Sequence, residues 1–317
     1  MHILVTGAAG FIGSHLAERL AAMGHAVSGI DCLTPYYARA LKELNLQQVR
    51  AAGVVVYPLD LATDDLDQVV QGAEVLYHAA AQPGISASTP FETYLRNNIV
   101  ATERLLEAVA HLDSLRAFVY VSTSSVYGAD ATGPETAEPK PTSYYGVTKL
   151  AAEQLALARQ RDENLPACSV RLFSVYGPRE RPEKLYPKLI RAILEDREFP
   201  LYEGSEDHVR SYTYVGDIID GLVALLEHLD AIPGEILNLG TDVAITTGEG
   251  IRLVEALIGK KARIVVRPRR SGDQLRTHAN IAKARRLLGY NPTTTPEEGL
   301  AAMVRWYREQ IHGRVNW

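Results

Sequence analysis

The glycine-spaced turn Gly7-Ala8-Ala9-Gly10-Phe11-Ile12-Gly13 constrains the fold of this chain more than any other stretch. It follows the apolar run Ile3-Leu4-Val5 and precedes a stretch, 14–23, in which apolar residues recur every three or four positions. A strand that ends in glycines and passes at once into a helix must make a tight turn. With no side chains in the way, the backbone there can approach a phosphate, which the free N–H groups of the helix attract. The alternation continues downstream. Short apolar runs stand at 26–30, 54–57, 75–78, 118–122 and 167–172, with helical patterns at 91–111 and 144–161. Such periodicity predicts βαβ units and therefore an α/β fold, a Rossmann-type doubly wound parallel sheet. Gly24, just past the first helical pattern, reads as its C-terminal cap.

Past residue 171 the rhythm changes to proline-containing loops (Gly177-Pro178, Arg181-Pro182, Tyr186-Pro187), short helices and isolated strands near 235–239 and 264–266. The expected division is a dinucleotide-binding domain at 1–170 with a return segment at about 212–240. A smaller α/β substrate lobe would comprise 171–211 and 241–317, with the ligand in the cleft between the two.

The net charge of −5 over 317 residues gives no electrostatic case for nucleic acid or an anionic membrane surface. Two cysteines, Cys32 and Cys168, are too few for a disulfide framework, and the nine histidines show no ligand spacing, so no metal site is expected. His78, at the end of an apolar run, and Tyr127 read as packing residues. No apolar run reaches membrane-spanning length, and the first strand begins at once, which leaves no room for a signal peptide. A cytoplasmic protein is expected.

Three patterns carry chemistry. Asp31 ends the second apolar run, 18 residues after Gly13. A carboxylate there can accept hydrogen bonds from both hydroxyls of an adenosine ribose and would repel a 2′-phosphate, so the cofactor is expected to be NAD rather than NADP. Tyr145 and Lys149 lie four apart, on one face of a helix, so the lysine charge is expected to lower the phenol pKa toward the range of a general base. Ser122-Thr123-Ser124-Ser125 stands at the C-terminal end of a strand, where ligands bind in such sheets, and places Thr123 beside the hydroxyl that Tyr145 would deprotonate.

These stretches, with His78-Ala79-Ala80-Ala81-Gln82, Asn98 and Val175-Tyr176-Gly177-Pro178, resemble the extended short-chain dehydrogenase/reductase family, in particular its nucleotide-sugar epimerases. The resemblance implies tightly held NAD contacted by Gly7, Gly10, Phe11, Ile12, Gly13, Asp31, Asp60, Leu61, Ala79, Ala81 and Asn98. It implies Tyr145 as base, Thr123 as its partner and Lys149 on the nicotinamide ribose.

Within that family the chain looks most like UDP-glucuronate 4-epimerases. The likeness lies in Thr123-Ser124-Ser125-Val126-Tyr127-Gly128, Ala80-Ala81-Gln82-Pro83-Gly84, Tyr36-Tyr37 with Leu41-Lys42, and Gly177-Pro178-Arg179-Glu180-Arg181-Pro182. By that resemblance Ser124, Ser125, Ser174 and Arg181 would contact a uronate carboxylate, while Arg210, Arg270 and Asp273 would hold the nucleotide diphosphate and ribose. The expected reaction is 4-epimerisation of a UDP-sugar through a 4-keto intermediate, UDP-glucuronate giving UDP-galacturonate. Serines at 124 and 125 cannot do the acid–base work of the Asp-Glu pair that 4,6-dehydratases of this family carry, so dehydration is disfavoured. A UDP-glucose/galactose 4-epimerase, a UDP-glucuronate decarboxylase and a non-catalytic NAD-binding regulator stay open. The chain departs from the usual pattern at Ser86, at Glu183-Lys184 in place of Asp-Met, at Ser174 in place of threonine, and at Ser211-Tyr212. The resemblance also implies a homodimer formed through the helices near 91–111 and 144–161.

Overall fold

In the computed structural model, which describes residues 1–84, 88–268 and 276–315, seven strands form one parallel sheet. They are β1 (His2–Thr6), β2 (Ala26–Ile30), β3 (Val55–Tyr57), β4 (Val75–His78), β5 (Ala117–Thr123), β6 (Ala167–Leu172) and β7 (Ile236–Leu239). Their order across the sheet is β3-β2-β1-β4-β5-β6-β7, and every neighbouring pair is parallel. The order reverses between β1 and β4. At that point the loops leaving the two strands part to opposite faces and open a crevice at the strands' carboxyl ends. Every residue of β4, β5 and β6 is buried, as a sheet covered on both faces demands.

Alternation along the strands feeds two cores. Ile3, Val5, Tyr77, Val119 and Cys168 face one side, while Leu4, Leu76, Phe118 and Tyr120 face the other. Helix α1 (Phe11–Ala22) buries Leu16, Ala17 and Leu20, spaced for one face. Its end matches the expected cap, with Gly24 at φ +85° just beyond Met23. Helix α2 (Arg39–Ala51), not marked by the sequence pattern, buries Leu41, Lys42, Asn45 and Val49.

The stretch 91–111 is not the continuous α-helix expected. A short turn Phe91–Tyr94 leads into a π-helical segment Leu95–Val100 and then α3 (Ala101–Val109). The wider turn swings Asn98 inward, where its side chain is fully engaged. Asn98 Oδ1 accepts from Gln82 N at 2.7 Å, and its Nδ2 donates to Thr148 Oγ1 at 3.0 Å and Gln82 O at 3.3 Å.

Helix α4 (Tyr144–Glu163) starts at Ser143, whose hydroxyl accepts from Gly146 N. Beyond β6 come α5 (Leu185–Leu194), α6 (Val215–Ala224), α7 (Thr247–Ile258) and α8 (Pro296–Trp306). Helix α6 returns to pack on α1, and β7 follows it into the central sheet. Helices α5, α7 and α8 enclose a third core around Tyr186, Leu189, Ile251 and Leu300. Short strands tie this lobe to the sheet's loops: Val175–Tyr176 pairs with Thr213–Tyr214, and Asp130–Ala131 with Arg276–Thr277. No helix of the described residues is long and apolar enough to cross a membrane.

Candidate active site

A cavity of about 1200 Å³ runs from the glycine turn, past the carboxyl ends of β4 and β5, to the lobe built on α5 and α7. At one end lies the turn itself. Gly7 has φ +72°, a left-handed conformation that suits glycine, and a Cβ on Gly13 would fall 2.1 Å from Gly7 O. The carbonyl and the first turn of α1 therefore touch directly, and the helix N-terminus opens on the cavity without a capping side chain. Asp31 braces this turn. Its Oδ2 accepts from Ala9 N at 3.0 Å and its Oδ1 from Leu33 N at 2.8 Å, leaving each oxygen a second lone pair toward the cavity. This cradle, with a carboxylate one strand away, fits the pyrophosphate and ribose of a dinucleotide.

At the middle of the cavity, Thr123 ends β5 with extended backbone. Its hydroxyl accepts from Ser125 N at 3.2 Å, which caps the short helical turn Ser124–Tyr127. The cap directs the polar run Ser122 to Ser125 into the cavity. The Ser122 hydroxyl is buried without a partner among the described residues. Tyr145 sits opposite, in the first turn of α4. Burial raises its phenol pKa, opposed first by a hydrogen bond with Thr123 and then by the charge of Arg181.

The expected role of Lys149 in lowering that pKa is corrected by the geometry. Its ammonium donates to Val121 O at 2.7 Å and lies 4.1 Å from the Tyr120 ring centroid. Burial brings the Lys149 pKa down to about 7, against the pull of Glu153. With its ammonium turned to a carbonyl, Lys149 is not the counter-charge of the phenol; Thr123 and Arg181 are the groups that draw it down.

At the far end, Ser174 (φ +31°) follows β6, and the loop after it carries Arg181. Distant contacts pin this loop to the sheet domain. Arg179 pairs with Glu18 of α1 at 2.8 Å and also meets Gln48, while His15 bonds Pro178 O at 3.0 Å. Burial and the Arg179 charge bring the His15 pKa down to about 4, so the ring stays neutral. Arg181 is held 5.6 Å over the Tyr36 ring and 2.6 Å from Glu183 Oε1. Arg210, on the strand Val209–Arg210, completes this end.

One cavity thus gathers Gly7, Gly10, Phe11, Ile12, Gly13, Asp31, Asp60, Leu61, Ala79 and Ala81 with Thr123, Ser124, Ser125, Tyr145, Lys149, Ser174, Arg181 and Arg210. Asp60 pairs with Arg96 at 2.7 Å; burial would raise its pKa, but that bond and one from Ala62 N hold it below the usual range. Asn98 does not line the cavity; it lies behind the wall, bonded to Gln82 and Thr148, and so positions the segment that ends at Gln82 against α4. Arg270 and Asp273, like Ser86, lie outside the described residues. His78 is a structural residue, buried between Thr6 and Thr102 hydroxyls at 2.8 Å each, its pKa brought down to about 3 by burial and by Lys149. Tyr127 likewise donates to Asn238 Oδ1 at 2.8 Å in the core.

Sequence reasoning missed several wall residues. Lys42 donates to Thr34 Oγ1 at 2.9 Å and lies 5.0 Å from the Tyr37 ring centroid, beside Asp31. Asn45 Nδ2 donates to Ala9 O and so props the glycine turn from α2. Glu180, Lys184, Lys188 and His208 also line the lobe end. Lys42 stands within the Leu41-Lys42 stretch of the family likeness, and the amphipathic spacing of α2 points to Asn45.

A family model described as "NAD dependent epimerase/dehydratase family" matches residues 3–240. The UDP-glucuronic acid 4-epimerase of Bacillus cereus, solved with UDP-glucuronic acid and NAD, is 38% identical with a TM-score of 0.93, covering 98% of this chain and 99% of that one. An uncharacterised UDP-glucose epimerase of Bacillus subtilis is 36% identical over 99% of this chain and all of its own. UDP-glucuronate 4-epimerase 4 of Arabidopsis thaliana is 32% identical over 98% of this chain and 76% of its own. The matched segment runs from β1 through β7 and so takes in the whole central sheet, the glycine turn and the Tyr145 wall of the cavity. On that ground the chain belongs to the NAD dependent epimerase/dehydratase family.

Proposed function

We propose that this protein is a UDP-sugar 4-epimerase acting on UDP-glucuronate to give UDP-galacturonate. The observation that carries the reading is the meeting of Thr123, Tyr145 and Lys149 with Ser124, Ser125, Ser174 and Arg181 in one cavity. The resemblance of the chain to epimerases that bind UDP-glucuronic acid supports it. NAD, held on the glycine cradle by Asp31 and by Lys149, supplies reversible hydride acceptance at a carbinol carbon when bound. The chain's own part is proton transfer and anchoring. Tyr145 takes the proton of the sugar 4-hydroxyl while Thr123 orients that hydroxyl, and the same phenol returns the proton after the sugar has turned. Arg210, with Arg270 and Asp273 proposed beside it, anchors the diphosphate, so binding energy far from C4 retains the 4-keto sugar. Arg181 and the serines hold the uronate carboxylate out of line with the C4 carbonyl, which keeps the β-keto acid from losing CO₂.

The test is to incubate the purified protein with UDP-glucuronate and follow products by NMR, without and then with added NAD. UDP-galacturonate is expected; UDP-pentose would instead identify a decarboxylase, and no reaction even with NAD would reject the uronate. One observation favours a neutral sugar as the second reading. Glu183 already sits on Arg181 at 2.6 Å, so the guanidinium has a carboxylate of its own. Activity on UDP-glucose against UDP-glucuronate separates the two. Arg181→Ala should raise KM for UDP-glucuronate roughly 10- to 100-fold, the worth of a charge-assisted hydrogen bond, and let UDP-pentose appear. Steady-state kinetics showing unchanged KM and no decarboxylation would exclude the carboxylate role.

A homodimer and cytoplasmic residence belong to the same proposal. Phe91, Leu95 and Val100 are exposed next to Tyr144 and Val147 of α4, with the Phe91 and Tyr144 rings 5.2 Å apart. An apolar face of this kind suits a second copy. Sedimentation at the monomer mass would reject the pairing. Both cysteines are free thiols, which suits a reducing compartment.

A further inference from the structure

The lobe end of the cavity holds an acid that the proposed reaction does not use. Glu180 lies between Arg179, which anchors the loop, and Arg181, and its side chain lines the cavity. Its Oε2 is buried with no hydrogen-bond partner among the described residues. A buried carboxylate oxygen without a donor is costly, and its presence beside a cation already paired with Glu183 needs a reason. A uronate brought to Arg181 would put a third carboxylate at this end. If all three were ionised, their repulsion would offset much of what Arg181 contributes.

We propose that Glu180 is a specificity-determining residue that takes up a proton when an anionic sugar binds beside Arg181, so that a uronate enters with a proton and a neutral sugar without one. As the neutral acid, Glu180 has an O–H to donate to a ligand oxygen and no charge to repel it. The proposal rests on the UDP-sugar epimerase reading and sharpens its substrate class.

The surroundings fit that exchange. From its own loop Glu180 faces Arg181, Glu183 and Lys184. From the packed elements it faces Tyr176 after β6, Tyr186 of α5 and Tyr212, whose phenols its charge pushes upward. The three rings pack with centroids 4.9 to 6.3 Å apart. Burial pushes the Glu180 carboxyl up to about 8, against the lowering pull of Lys184 and Arg181, so on the alkaline side of that value it is ionised when free and can take up a proton. Lys184 is open to the cavity at the surface of the lobe and also feels Arg210, which places it toward the diphosphate common to both kinds of sugar nucleotide. A proton taken up there would not distinguish a uronate from a neutral sugar.

The experiment is titration calorimetry of the wild-type protein with UDP-glucuronate and with UDP-glucose near pH 8.5, each in buffers of different ionisation enthalpy. The buffer dependence counts protons, and epimerisation itself consumes none. The expected result is about half a proton or more taken up in excess with UDP-glucuronate. That excess should vanish in Glu180→Gln. Equal uptake with the two ligands in the wild type, which needs no variant to fold, would overturn the proposal. So would an excess that survives Glu180→Gln. NMR of the same samples separates this from the function itself. Excess uptake without UDP-galacturonate would reject the uronate epimerase but support the role of Glu180. Turnover without the excess would do the reverse.

Discussion

Tyr145→Phe is expected to lower kcat for UDP-sugar epimerisation by about 10²- to 10⁴-fold, the range that a positioned general acid–base contributes. The substitution removes one oxygen and keeps the ring, which packs 6.5 Å from that of Tyr94, so helix α4 and the cavity wall should persist. Binding should therefore change little, and the loss should fall on kcat rather than KM. The physical reason is that no neighbour can take over the proton. Thr123 is a hydroxyl spent in part on Ser125 N, and Lys149 is turned to Val121 O. The phenol itself is held up by burial and drawn down by Thr123 and Arg181. Thr123→Val should accordingly push the base further from its working range and shift the acidic limb of the kcat profile to higher pH. Single-turnover kinetics on UDP-glucuronate checks the main claim. A Tyr145→Phe protein within a few-fold of wild-type kcat would remove Tyr145 from the chemistry.

The second large effect concerns stability. Glu153→Ala is expected to cost about 3–5 kcal/mol, because it strands a buried guanidinium. Glu153 and Arg171 are 0% and 1% exposed at the side chain. Arg171 donates to Glu153 through Nε at 3.0 Å and NH2 at 2.6 Å, and Ser169 Oγ donates to the same carboxylate at 2.8 Å. Arg171 also lies 4.7 Å from the Tyr127 ring centroid. Tyr145, Lys149 and Glu153 follow one another at intervals of four on α4, so this pair clamps the helix that carries Tyr145 onto β6. Glu153 also draws the Lys149 pKa upward, so its loss should leave Lys149 neutral over more of the pH range. Stability rises with pH where the unfolded state binds more protons. A Lys149 held near 7 when folded therefore opposes folding most below that pH, and Glu153→Ala should deepen the acid-side loss. Chemical denaturation at pH 6 and pH 8 measures both the cost and its slope. The double substitution Glu153→Leu with Arg171→Met should recover most of the loss, since replacing both members of a buried pair by apolar groups is often neutral. A single substitution costing under about 1 kcal/mol would mean that the pair does not hold the helix.

What could be read from the chain alone follows from short-range geometry. Glycines at 7, 10 and 13 after an apolar run force a turn whatever surrounds them. The run at 118–122 forms a strand, within Ala117–Thr123, and every residue of that strand is buried, as in a sheet covered on both faces. Tyr145 and Lys149 share a helix face through their spacing, and Thr123 stands at a strand's carboxyl end by its position. These are local properties, within one turn or one strand.

The charges and hydrogen bonds between distant segments were decided only by the tertiary structure. Nothing in the spacing of 149 says that its ammonium turns to the Val121 carbonyl, a contact across 28 residues of chain. Nothing in the residues around Asn98 says that a π-helical turn brings its amide to Gln82 and Thr148. Arg179, ordinary in a loop, reaches Glu18 across 161 residues and thereby sets where Arg181 stands. Periodicity records which residues are buried, because burial follows hydrophobicity and hydrophobicity is local. It does not record which buried polar group finds which partner, since that pairing is made by strands and helices brought together from far apart. The chain by itself therefore determined the sheet, the glycine cradle and the helix face shared by Tyr145 and Lys149, and the fold decided which charges surround Tyr145 and which polar groups meet at the lobe end of the cavity.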